Sequence, residues 1–229
     1  MGTPRGLVPA PDDLTAPPPA TVPLDGTSTI RLCPRDLGPL TLVIDGRFHA
    51  ALDGLFIERP GRGPAPTTRW AAVTPTTDWL GTFSFDRVEG GFGNTRLRPD
   101  AAGAYRERVM RLLDAAREAG AAIVAMPELS LDEVLEDSIE AWFGQNPGVA
   151  IVLAGSRHLV DRERGDLYPV NRARLFVRGV PPGTRVHHDK LAGFEFDGLV
   201  ELIQRPNQIT IFSGRRWSFT PLICRDFLG

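Results

Sequence analysis

The sequence predicts an α/β fold, a sheet with helices on its outer face, and three observations predict it. Apolar runs of strand length alternate with amphipathic helical patterns in the order β-α-β-α-β over residues 70–154, and further strand patterns follow. The helical stretches open on Asp and the first closes on Gly. The 229 residues are 42% hydrophobic and 24% charged, an ordinary globular balance that supports one substantial core.

Residues 1–28 are rich in Pro and Ala, with seven prolines by Pro23, and predict a disordered tail because so little apolar bulk cannot offset chain entropy. Residues 29–66 form a short β-rich extension and linker: Leu40–Ile44 and Gly54–Ile57 read as strands and Pro60–Pro66 as the linker. The main domain spans 67–229. Its first strand is Trp70–Val73, and the polar, Gly-rich stretch Thr74–Pro99 reads as a long loop. Gly90–Gly93 lacks the Lys-Ser/Thr pair of a phosphate loop and reads as a turn.

Asp100 predicts the N-cap of a helix through Ala119, with Tyr105, Val109, Leu112, Leu113 and Ala116 on one stripe and Gly120 as its stop. A strand over Ala121–Ala125 ends at Pro127, which has no N–H to give a ladder, so Glu128 falls at the strand's carboxyl end. Open α/β sheets build their sites at such ends. A helix over Asp132–Phe143 presents Val134, Leu135, Ile139, Trp142 and Phe143. Strands follow at Val149–Ala154, Ala173–Val177, Gln208–Phe212 and Trp217–Cys224.

The net charge of −2 supplies no overall positive field for nucleic acid, and neither a membrane span nor a secretory signal is read in the sequence. A cytoplasmic location is therefore expected, with Cys33 and Cys224 kept as thiols. No metal or organic cofactor is expected. His187 and His188 are adjacent in a strand and point to opposite faces, so they do not chelate one ion, and only His49 and His158 remain. No Gly-x-Ser-x-Gly segment suggests a serine hydrolase.

The basic residues carry the sharpest signal: 25 arginines and a single lysine, Lys190. A lysine kept where arginine is otherwise used suggests a site that needs a compact ammonium. With Pro127-Glu128 upstream and Ile223-Cys224-Arg225-Asp226 downstream, it completes a set of carboxylate, ammonium and thiol, the parts of a nucleophile with its acid/base and charge stabiliser. Taken singly, each has a plainer reading: a buried small side chain, a turn residue and a surface charge.

These three segments, in this order, resemble the carbon-nitrogen hydrolase (nitrilase) superfamily over roughly Trp70–Gly229. The resemblance implies an αββα sandwich and a Glu128, Lys190, Cys224 triad. In it the cysteine attacks an amide or N-carbamoyl carbon, and less readily a nitrile, to form a thioester. It also implies that Lys190 and the Arg225 backbone N–H hold the oxyanion. A further glutamate orients substrate and lysine, with Glu201 a better match than Glu195. Homo-oligomers are implied as well. Family members continue further after the nucleophile, so the sandwich is expected to be incomplete at the C-terminus. The rival expectations are an inactive protein of the same fold that serves as a binding or assembly module, and an acyltransferase using the same thioester.

Overall fold

The computed structural model describes residues 27–32, 40–46, 68–160, 168–179, 184–196, 199–213 and 218–227. Residues 1–26 of the expected tail, the expected strand 54–57, the linker 60–66, Cys33 and His49 lie outside the described residues.

In chain order the elements begin with β1 (Thr27–Leu32), β2 (Leu40–Asp45), β3 (Trp70–Ala72), α1 (Trp79–Thr82), β4 (Phe83–Val88) and β5 (Gly91–Leu97). Then come α2 (Pro99–Glu118), β6 (Ile123–Ala125), α3 (Glu133–Gln145), β7 (Ile151–Leu159) and β8 (Val170–Val177). The last are β9 (Val186–Asp189), β10 (Glu195–Phe196), β11 (Leu199–Glu201), β12 (Gln208–Ser213), β13 (Ser218–Phe219) and a 3-10 turn, Cys224–Phe227.

The fold is mixed α/β. A five-stranded sheet of order β3-β6-β7-β8-β9 is parallel across β3, β6 and β7 and antiparallel beyond. Because successive strand residues face opposite sides, its neighbours divide between two cores. Val124, Val152 and Phe176 pack with Val109 and Leu113 of α2 and Leu135 and Ile139 of α3. Ile123, Ile151, Leu175 and Val186 pack with Phe212 of β12 on the other side. β12 belongs to a second sheet, β1-β2-β12-β13, in which β2 runs parallel to β12, so residues 40–45 share a sheet with residues 208–213. A third sheet among the described residues has the order β10-β11-β5-β4. Among the described residues no helix is long and apolar enough to cross a membrane.

Several local expectations are corrected. β1 takes in the last two residues of the expected tail. The stretch 74–99 is not a loop: it holds α1 and the β4–β5 hairpin, because Phe83 and Phe85 alternate with Ser84 and Asp86 and give the ribbon one apolar face. α2 starts at Pro99 with Arg98 as N-cap, and Asp100 instead sits in the first turn, where its charge suits the helix dipole. Gly120 does follow α2, with φ +75°. Asp132 caps α3 by accepting from Leu135 N (2.8 Å). Val134 is 53% exposed rather than core, one position off the stripe of Leu135, Ile139 and Trp142. The strand expected over 217–224 stops at Phe219, before Pro221, and Cys224 opens a tight turn.

Candidate active site

Glu128 lies in the turn after β6, where Pro127 ends the strand. Ser130 Oγ donates to Pro127 O (2.5 Å), Ser156 Oγ accepts from Leu129 N (2.9 Å), and Tyr105 Oη of α2 donates to Ser130 O (2.8 Å). Burial pushes the Tyr105 hydroxyl pKa upward, so it remains a donor to this turn. Leu129 adopts φ +52° inside the turn. The site thus rests on backbone fixed by both its helix and its neighbouring strand.

A bulge in β7 sets what stands beside Glu128. Leu153 pairs with Leu175 and Ser156 with Ala173, so β7 carries one more residue than β8 across this interval. Gly155, at φ +79°, lies in the bulge, and a Cβ there would come within 2.1 Å of Ser130 Oγ and 2.5 Å of Pro127 O. The extra residue shifts the alternation. His158 therefore faces the same side as its partner Asn171, while Arg157 turns to Glu136 of α3 (3.1 Å). Lys190 follows in the same row, its N–H donating to Asn171 O (2.8 Å).

Lys190 is fully buried. Its Nζ donates to Glu128 Oε1 (2.5 Å) and Glu201 Oε2 (2.6 Å). Asn171 Nδ2 donates to the same two carboxylates, at 2.8 Å to Glu128 Oε1 and 2.7 Å to Glu201 Oε1. Glu201 Oε2 also accepts from Phe194 N (3.0 Å). His158 completes the cage. Thr95 N donates to its Nδ1 (2.9 Å), which leaves the ring proton on Nε2 to be donated to Glu201 Oε1 (2.9 Å).

Burial alone would raise the Glu201 pKa, but the bonds from His158, Lys190 and Phe194 N reverse that and hold it at about 2. Burial alone would lower the Lys190 pKa, and the two carboxylates turn the net shift upward. A buried ammonium between two carboxylates stays charged. Two of its three N–H bonds go to these carboxylates, leaving one direction for a further acceptor.

Cys224 is exposed, opens the 3-10 turn, and has φ +47°. Left-handed backbone at a residue with a Cβ costs about 1–2 kcal/mol and persists only when its surroundings impose it. Asp226 does so here: its Oδ2 accepts from Ile223 N (3.2 Å) and His188 Nε2 (2.9 Å), and its Oδ1 from Leu191 N (2.8 Å) and Ala192 N (3.2 Å). One carboxylate thus ties the cysteine turn to the segment after Lys190. His187 is exposed and His188 buried, on opposite faces of β9.

Cys224, Glu128 and Glu201 line one cavity of about 460 Å³, walled by Trp79, Phe85, Phe92 and Phe194. Arg225 follows Cys224 in the 3-10 turn. Glu195 is exposed on β10. Sequence reading gives Asn171 and Asp226 no role and raises His158 only as a metal ligand, a reading it does not favour. Gly155, inside a strand and directly after the apolar run Ile151–Ala154, is the available signal for the bulge that turns His158 inward. Among the described residues no group of three or more His, Cys, Asp or Glu is placed to hold a metal ion. Compared with known proteins, the chain matches no family model and no curated protein.

Proposed function

We propose that this chain is a hydrolase of non-peptide carbon-nitrogen bonds, acting on an amide or N-carbamoyl group, and less readily a nitrile, through a Cys224 thioester. The observation that carries the reading is that Glu128 and Glu201, bridged by the buried Lys190, line one cavity with a strained, exposed cysteine. The layering of helices, sheet and second sheet supports a nitrilase-like αββα sandwich. A cytoplasmic location and association of copies belong to the same proposal, the latter supported by exposed Trp70 on edge strand β3.

In this reading Glu128 takes the Cys224 Sγ proton as sulfur attacks the carbonyl carbon. The oxyanion is met by the remaining Lys190 N–H and the Arg225 backbone N–H. The carbon-nitrogen bond breaks as Glu128 returns the proton to the leaving amine. Glu128 then deprotonates water, which attacks the thioester and releases the acid with the thiol restored. Glu201 keeps the lysine charged and in place.

Intact-mass analysis with a panel of short amides, carbamoyl amino acids and nitriles tests this. An acyl adduct on wild-type protein, absent from Cys224→Ala and Glu128→Gln, is expected. Lys190→Arg should abolish turnover, since loss of one oxyanion donor already costs ~10²- to 10³-fold and the planar guanidinium does not fit the ammonium's cage. Near-normal activity in Lys190→Arg sinks the assignment. No adduct across the panel favours the inactive binding module.

A further inference from the structure

We infer that the cavity selects a monoanionic substrate, one that joins an aromatic or similarly apolar body to a carboxylate, with Arg87 as counter-ion. This rests on the hydrolase reading and names its substrate class.

The β4–β5 hairpin carries the argument. Alternation along β4 puts Phe83, Phe85 and Arg87 on one face and Ser84 and Asp86 on the other. On the outer face Asp86 is already engaged, with Arg96 (3.2 Å) and Asn94 (3.2 Å). Arg87 therefore points away from the nearest acid of its own strand, and among the described residues no ion pair or hydrogen bond holds its guanidinium. It lines the same cavity as Cys224.

A bulge brings an aromatic ring beside it. Asp86 pairs with Asn94 but Arg87 with Phe92, so Gly93 is the extra residue, and Phe92 is swung onto the face of Phe85 and Arg87. The Phe92 ring meets Phe85 edge-on at 5.4 Å, and Phe85 lies 6.4 Å from Trp79. This is an aromatic wall with one cation on it, in a cavity sized for a small molecule.

The charges decide the ligand. Glu128 and Glu201 also line the cavity, and both are held by Lys190 and Asn171. Arg87 is the cationic side chain among the described lining residues, and its planar fork matches a carboxylate. A single guanidinium balances one negative charge. A dianionic phosphate would carry an unmatched charge toward the two glutamates.

Calorimetry with two probes that have no cleavable carbon-nitrogen bond tests the inference without turnover. Hydrocinnamate should bind wild-type protein about tenfold more tightly than hydrocinnamyl alcohol, the discrimination of one charge-assisted pair. The preference should vanish in Arg87→Gln and reverse in Arg87→Glu. Equal affinities in wild type, or a preference unchanged in Arg87→Gln, overturn it. Turnover is read separately with N-carbamoylphenylalanine and the neutral phenethylurea, whose kcat/KM ratio should collapse in Arg87→Gln. Carboxylate preference with no turnover of either compound sinks the hydrolase reading alone. Equal kcat/KM for both in wild type sinks the carboxylate alone.

Discussion

Glu201 shows how a buried charge is kept. Its side chain is 1% exposed, and an isolated carboxylate there would protonate; four donors from Lys190, Asn171, His158 and Phe194 N keep it ionised instead. A carboxylate whose pKa falls from 4.5 to about 2 on folding stabilises the native state above pH 4.5, and that stabilisation is lost as pH drops through about 2. The contribution is on the order of 3 kcal/mol. Urea midpoints measured between pH 5 and 2 should therefore slope less steeply for Glu201→Gln than for wild type. Parallel slopes would show that the cage does not act on this proton.

At the scale of elements, two bulges do the positioning. The one in β7 turns His158 toward Glu201, and the one in β5 turns Phe92 toward the cavity. Gly155 is the point where the first is fixed, since its φ of +79° and the closeness of Pro127 O and Ser130 Oγ leave no room for a Cβ. Gly155→Ala should cost roughly 2 kcal/mol or more, from left-handed strain and displacement of the 127–130 turn. Thermal denaturation measures the first effect. If the hydrolase reading holds, any activity should fall further than the stability loss explains, because Glu128 moves with the turn.

For the whole molecule, the parallel pairing of β2 with β12 joins the N-terminal extension to the strand whose Phe212 fills the second core. A chain starting at residue 67 would expose the β12 edge, including the backbone groups of Gln208–Phe212 that now pair with residues 41–45. It should elute as larger species on size exclusion and unfold at lower urea than the full chain. Unchanged behaviour would show that the extension is dispensable. The boundary between 66 and 67, natural on composition, does not mark the limit of strand pairing.

Residue types and short motifs are legible in the sequence because they are local. A single lysine among arginines, a proline before Glu128 and an Ile-Cys-x-Asp segment can be seen in one line of text, and so can the stripes of α2 and α3. Glu201, which the family resemblance prefers to Glu195, is buried against Lys190, while Glu195 is exposed. The β4–β5 hairpin is hard to read because the alternation of Phe83–Asp86 is short and β5, with Gly91, Gly93 and Asn94, carries turn residues. His158, Asn171 and Asp226 acquire their partners only through strand register and tertiary contact. Residue types and element periodicity are properties of neighbours in sequence. Which side chains share a cavity depends on where two extra residues interrupt the ladders, and only the folded chain decides that.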